Sequence, residues 1–218
     1  MVKIAAFDSV ADIYDGWYKR PQGKQVFQAE REAVNAMIPE TGLGLEIGAG
    51  TGVFAESLTN DSRTILCLDP SIEMTGRARE RGLYCILGVG EPLPIRSGIL
   101  DFCYMVTVIE FLDEPVEVFK ESGRVAKLRA PLTILFINSD SKWGELYRNL
   151  AEKDDPVFKY ARLFTLQQVS ELLKETDYEI VLAKGTLNSE PMNQIIDQTL
   201  VEPSPRSGTL IVKSVKKS

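Results

Sequence analysis

The chain has 218 residues, with 25 Lys and Arg against 31 Asp and Glu for a formal net charge of −6, a balance that argues against a nucleic-acid groove. Its 44% hydrophobic and 26% charged residues provide material for the core of one domain and exclude intrinsic disorder as the general description. Histidine is absent, which removes His ligands to zinc, Ser-His-Asp and Cys-His nucleophilic catalysis and a histidine general base; no metal site is expected.

Near the start, Asp8 and Asp12 interrupt the apolar stretch that a signal peptide needs, and no run approaches ~18 apolar residues. A cytoplasmic protein without membrane insertion is expected. Residues 24–38 carry Val26, Phe27, Ala33, Val34, Met37 and Ile38 on the spacing of a one-sided helix that Pro39 and Gly42 stop. From Leu43 the pattern alternates: strand 43–47, helix 53–59, strand 64–68, helix 71–80, strand 83–87. Such alternation implies right-handed βαβ units and a parallel sheet covered on both faces. A Gly- and Pro-bearing loop leads to a strand at 101–108, a helix at 114–127 and a strand at 131–137 whose near-continuous apolar run suits the middle of that sheet. Residues 141–164 read as a helical insertion. Thr165 with Gln168 predicts a capping-box start for the next helix, and strands near 178–184 and 208–213 complete the chain. Cys67, Cys85 and Cys103 are equally spaced within apolar segments, an interval that matches no metal template and fits a repeated structural unit with buried, reduced thiols.

The chemistry concentrates in Leu43–Phe54, where Gly48, Gly50 and Gly52 alternate directly after a strand and before a helix. Missing Cβ atoms there let a ligand approach the backbone, and a nucleotide-like ligand is expected at that strand end. The dinucleotide fingerprint G-x-G-x-x-G requires glycine where Val53 stands, and Glu46 suits a cationic ligand group better than a pyrophosphate. Asp69 ends the next strand 21 residues after Gly48, placed to accept hydrogen bonds from both hydroxyls of a ribose. Its other reading is a helix N-cap, but Ser71 can supply that cap.

These residues resemble the class I S-adenosylmethionine-dependent methyltransferases. Glu46–Gly52 looks like the first motif of that family and Leu68–Met74 like the second. Gly88–Pro94 with Leu100–Phe102 looks like its third-strand loop and fourth strand. The likeness is strongest over residues 43–137 and to the small-molecule branch that includes ubiquinone/menaquinone-type enzymes; Phe7–Trp17 resembles the leading lid of that branch. The fold it implies is a doubly wound α/β sheet of seven strands, mostly parallel with the last antiparallel, a Rossmann-like methyltransferase fold with a helical N-terminal cover. One domain over 1–218 is expected: cover 1–42, cofactor-binding core 43–137, helical insertion and final strands 138–218.

By the same resemblance, S-adenosylmethionine is the cofactor and S-adenosylhomocysteine its product. Glu46 and Gly48 receive the methionine amino end, with Gly50 and Gly52 completing the loop. Asp69 holds the ribose, Pro70 and Met74 border the adenine, Gly90 offers backbone to its edge beside Glu91, and Thr107 lies next to the methionine portion. Met74 has an equal reading as a core residue, and Glu91 as a solvated loop residue. Two departures stand out: Val89 replaces the usual Asp that accepts from the adenine amine, and Arg129-Ala130-Pro131 replaces the usual glycine pair before the fifth strand.

Methyl transfer from a sulfonium needs positioning and exclusion of water more than covalent help, so lack of histidine is compatible with it. The expected acceptor is a small molecule in a pocket drawn from Tyr14, Trp17, Tyr18, Phe111, Trp143 and Tyr147, aromatic residues that suit a planar or cationic group. No catalytic base is identified. Alternatives are a non-catalytic cofactor-binding protein or partner subunit, or a nicotinamide-dependent oxidoreductase. Residues 7–23 read either as a mobile cover hinged at Arg20-Pro21-Gln22-Gly23 or as a helix docked permanently on the sheet.

Overall fold

The computed structural model describes residues 2–191, 193 and 196–217. The strands β1 (Gly42–Ile47), β2 (Arg63–Asp69), β3 (Tyr84–Leu87), β4 (Phe102–Val106), β5 (Leu132–Ile137), β6 (Tyr178–Thr186) and β7 (Thr209–Lys216) form one sheet of order β3-β2-β1-β4-β5-β7-β6. The first five are mutually parallel, while β7 runs antiparallel to both β5 and β6. This is the doubly wound, mostly parallel sheet expected. Its order reverses between β1 and β4, where open α/β sheets leave a crevice beyond the strand carboxyl ends.

Both faces of the sheet are buried, which explains the near-continuous apolar strands. In β4, Phe102, Tyr104 and Val106 enter one core, and Cys103 and Met105 the other. On the first face, α2 (Pro21–Met37) and α3 (Val53–Leu58) pack Ala33, Val34, Met37, Phe54, Ala55 and Leu58 against the strands. On the second, α5 (Pro115–Val125) and α7 (Leu166–Lys174) pack Val118, Phe119, Val169 and Leu173. The Thr165–Gln168 capping box opens α7, with both reciprocal bonds made. Cys67, Cys85 and Cys103 are free thiols on β2, β3 and β4, so their interval is one step across the fold.

Residues 1–42, the expected cover, contain α1 (Val2–Tyr18) followed by α2. The expected hinge needs correction. Pro21 sits in the first turn of α2, where its missing N–H costs nothing, and only Lys19 and Arg20 separate the helices. Gly23 lies so close to the Trp17 carbonyl that an added Cβ would come within 2.0 Å of its oxygen, so the crossing is packed rather than loose. The strand expected over 101–108 stops at Val106 because Thr107 turns to φ 50°. The insertion resolves into α6 (Lys142–Glu152) and a short 3-10 turn at Phe158–Tyr160, and among the described residues no helix is long and apolar enough to cross a membrane.

Candidate active site

β1, β2, β3 and β4 end along one edge, and the loops leaving them bring the motif residues together. Gly48 has φ 70°, a left-handed conformation costly for any residue with a Cβ, and an added Cβ would lie 2.5 Å from the Val108 side chain. Its N–H and that of Ala49 both bond to the Leu68 carbonyl, at 2.8 and 2.9 Å, fixing the loop to β2. Gly50, at φ 53°, has open space on its side-chain direction, since an added Cβ would meet nothing within 4 Å. Gly52 packs against Ala78 and Leu83 and caps α3.

Asp69 joins the two motifs. One carboxylate oxygen accepts from the Gly50 N–H and the other from the Ser71 N–H, each at 2.8 Å. Ser71 caps α4 (Ile72–Glu80) by accepting from the Met74 N–H, as expected, yet Asp69 is engaged by backbone rather than standing free. Each oxygen keeps a second lone pair for a hydroxyl donor. Burial raises the Asp69 pKa, against the lowering by these two N–H bonds.

Glu46 lies beneath the glycine loop, 2% exposed, where it accepts from the Tyr104 hydroxyl at 2.8 Å and from the Ala55 N–H in the first turn of α3. Burial pushes its pKa up to about 8. Pro70 is half-buried and Met74 is 1% exposed. A Cβ on Gly90 would press on Val118, 2.9 Å away. Beside it, Glu91 Oε2 is buried without a partner among the described residues, and burial with the nearby carboxylates of Asp113, Glu114 and Glu117 raises the Glu91 pKa. Val89 is 44% exposed. Thr107 bonds through its N–H to the Leu135 carbonyl near the end of β5.

α1 lies across these loops and is tied down at several points. Asp8 accepts from the Ser71 hydroxyl at 2.5 Å, and Asp15 from the Thr51 hydroxyl at 2.7 Å. Arg77 pairs with Asp12 and Arg81 with Asp15, and Lys3 reaches Asp113 at 2.6 Å. Phe7 meets Phe111 edge-on at 5.1 Å.

Five of the six expected aromatics sit in contacting groups on this side. Tyr14 and Tyr18 are hydrogen-bonded to each other, and Trp17 stacks edge-on against Tyr18 at 5.1 Å. Tyr147 and Phe111 both meet Phe158, at 4.4 and 6.2 Å. Trp143 lies behind them: it is 2% exposed in a small core with Val26, Ala29, Leu187 and Ile196 against which Trp17 and Tyr147 pack, and its indole N–H donates to the Ser189 carbonyl. Sequence reasoning missed two buried carboxylates, Glu30 on α2 and Glu110 in the 3-10 turn after β4, 6% and 1% exposed. The available signal was a Glu on the apolar stripe Val26, Ala33, Val34, Met37, and another inside the apolar run 108–112. A groove of about 210 Å³ lined by Gly123, Lys127, Arg129, Tyr178 and Lys216 lies at the opposite edge of the sheet, away from every motif.

The edge fits a nucleoside with a charged amino-acid tail: open space at Gly50, acceptor capacity at Asp69 and an unpartnered oxygen on Glu91. Comparison with known proteins agrees. The model of a methyltransferase domain family matches residues 45–132. An uncharacterized protein of Methanocaldococcus jannaschii is 34% identical over 84% of this chain and 86% of its own length. An uncharacterized Mycobacterium tuberculosis protein is 30% identical over 83% of this chain, which spans only 62% of that relative. Among solved structures, a Thermotoga maritima SAM-dependent methyltransferase described as a "possible histamine N-methyltransferase" superposes with TM-score 0.86 at 28% identity, covering 99% of this chain and 100% of that one. A SAM-dependent methyltransferase of Methanosarcina mazei superposes with TM-score 0.64 at 18% identity, over 84% of this chain and 96% of that one.

Proposed function

The chain belongs to the S-adenosylmethionine-dependent class I methyltransferases, and on that premise we propose that it methylates a small-molecule acceptor held beneath α1. The observation that carries the reading is the cover itself. α1 is bonded to the loops after β1 and β2 through Asp15 and Asp8, so its aromatic side chains lie over the strand ends, Phe7 against Phe111 among them. The Thermotoga neighbour is also described for a small molecule.

When bound, the cofactor supplies an electrophilic methyl carbon on a sulfonium sulfur. The residues of this chain bind, orient and exclude water. In this proposal Asp69 accepts from the ribose hydroxyls, the Gly48–Gly52 backbone borders the methionine portion, and Pro70, Met74, Gly90 and Glu91 surround the adenine. Thr107 faces the methionine end from just past β4. Glu46 supports that end from below: its carboxylate holds the first turn of α3 and Tyr104, and thereby the shape of the glycine loop. Tyr14, Trp17, Tyr18, Phe111 and Tyr147 border the acceptor, with Trp143 behind Tyr147 one helical turn away on α6.

The test is incubation with methyl-labelled cofactor and a whole-cell extract, followed by separation of small molecules from macromolecules. Label in the small-molecule fraction supports the reading. Label held by protein or nucleic acid contradicts it.

A further inference from the structure

Glu30 and Glu110 are both buried, 6% and 1% exposed, and among the described residues neither has a cationic partner. Glu30 accepts no hydrogen bond from any described residue, and the charge acting most strongly on its carboxylate is Glu110. Glu110 Oε1 accepts from the Ile137 N–H at 2.7 Å, but its Oε2 is buried with no partner among the described residues. The pair and the groups facing it come from four elements: α2, the turn after β4, α1 and α6. Tyr147 of α6 packs on the core that holds Val26 and Ala29 of the Glu30 helix and meets Phe158, which also meets Phe111 beside Glu110, while Tyr14 and Tyr18 of α1 meet each other and Tyr18 meets Phe27 of α2. No Lys or Arg figures among the charges acting on either carboxylate. Such an arrangement is costly, because a buried carboxylate lacking a partner forfeits its hydration. Asp15, next to Tyr14 on α1, accepts from the Thr51 hydroxyl in the loop after β1, which places the cluster next to the cofactor loops.

We propose that the methyl acceptor is a cationic amine whose ammonium group sits between the Glu30 and Glu110 carboxylates, walled by Tyr14, Tyr18 and Tyr147. This inference rests on the small-molecule reading above and names the acceptor class. The ammonium donates to the free oxygens of both carboxylates and meets tyrosine ring faces, two kinds of recognition that a neutral alcohol or an anion does not share. One proton then passes from the ammonium to a carboxylate, which becomes a neutral acid and leaves the nitrogen with a lone pair. That lone pair forms the new N–C bond as the methyl carbon leaves the sulfonium, whose sulfur keeps the bonding electrons and becomes a neutral thioether. A chain without histidine thus has its proton acceptor in the same pair that binds the charge.

Burial of both carboxyls, with the Glu110 charge adding to the rise at Glu30, also gives the site a signature that is independent of turnover. Glu30 is pushed up to about 8 and Glu110 to about 7, so near neutral pH the pair holds protons. A cation entering between them favours the ionised forms, and protons leave to the buffer.

The experiment is calorimetry on the full chain, first with S-adenosylhomocysteine, then with 2-phenylethylamine, cyclohexylmethylamine and 1,4-diaminobutane and their matching alcohols, in buffers of different ionisation enthalpy. At least one amine is expected to bind more than tenfold tighter than its alcohol with release of protons near pH 7, and Glu30→Gln and Glu110→Gln each to weaken that amine at least tenfold while S-adenosylhomocysteine affinity holds. Equal binding of amine and alcohol, no binding by any amine, or amine binding untouched by both substitutions would overturn the proposal. Failure of S-adenosylhomocysteine to bind would instead overturn the cofactor reading, while the amine titrations still decide the acceptor class.

Discussion

The loop from Glu46 to Gly52 and the cluster around Glu30 lie at the same end of the sheet but are assembled in opposite ways. The loop is backbone: three glycines at positive φ, N–H groups aimed at Leu68 and Asp69, and one contiguous stretch of sequence. The cluster is side chain: Glu30, Glu110, Tyr14, Tyr18 and Tyr147 come from α1, α2, α6 and the turn after β4, and only the fold unites them. A backbone cradle tolerates almost no substitution at its glycines but recognises one fixed ligand. A side-chain pocket can change its acceptor while the cradle stays as it is.

The largest effect that sharpens this contrast is expected for Gly48→Val. The left-handed backbone costs about 1–2 kcal/mol for a residue with a Cβ, and the clash with Val108 adds overpacking strain of roughly 1–3 kcal/mol. Thermal unfolding should show the loss, and S-adenosylhomocysteine binding should vanish; a variant that binds normally would mean the loop is not the cradle.

Glu30→Gln is expected to act in the other direction. A carboxyl group with its folded pKa raised toward about 8 makes the folded state bind more protons than the unfolded one between the ordinary Glu value and that pH. Stability contributed by this group is therefore lost as pH rises through that window. The substitution should flatten the decline and raise the melting temperature above pH ~8. Glu46 and Glu110, also raised, keep part of the slope. An unchanged pH profile would show that Glu30 is not a buried, uncompensated acid.

A third effect concerns the cover. Amides of α1 should gain protection from hydrogen exchange when S-adenosylhomocysteine binds, because Asp8 and Asp15 fasten the helix to the loops after β2 and β1 that border the ligand. Equal protection with and without ligand would make α1 a permanent wall.

The smallest effect is at Val89. Val89→Asp restores a carboxylate beside the Glu91 oxygen and should sharpen preference for adenine over its deaminated form by the worth of one hydrogen bond, about 0.5–1.5 kcal/mol. Competition with the deaminated cofactor analogue measures it, and an unaltered preference would show that Glu91 already serves the adenine.

The strands and most helices were legible because their signals are local. The alternation from Leu43 onward, the Thr165–Gln168 capping box and the Ser71 cap all appear where the residues indicate. The strand order was read through family likeness rather than from periodicity. Within the site, the meeting of Gly50 with Asp69 follows from two motifs on adjacent strands. What escaped were features defined by burial across long separations. Glu30 reads in sequence as one more charge on an amphipathic helix, and only the packing of α1 and α6 over it makes it an interior acid. The hinge was misplaced for a related reason: Pro21 and Gly23 signal a turn, but Pro also opens helices, and the close crossing with Trp17 accounts for the glycine.

The claim that cofactor cradle and acceptor pocket are separate constructions is tested most directly by titrating S-adenosylhomocysteine into the wild type, Asp69→Ala and Glu30→Gln. Asp69→Ala should weaken binding ten- to a hundred-fold, the loss of charge-assisted hydroxyl bonds worth about 1.5–3 kcal/mol, while Glu30→Gln should leave the affinity within about twofold. Equal losses in the two variants, or none in Asp69→Ala, would contradict the account.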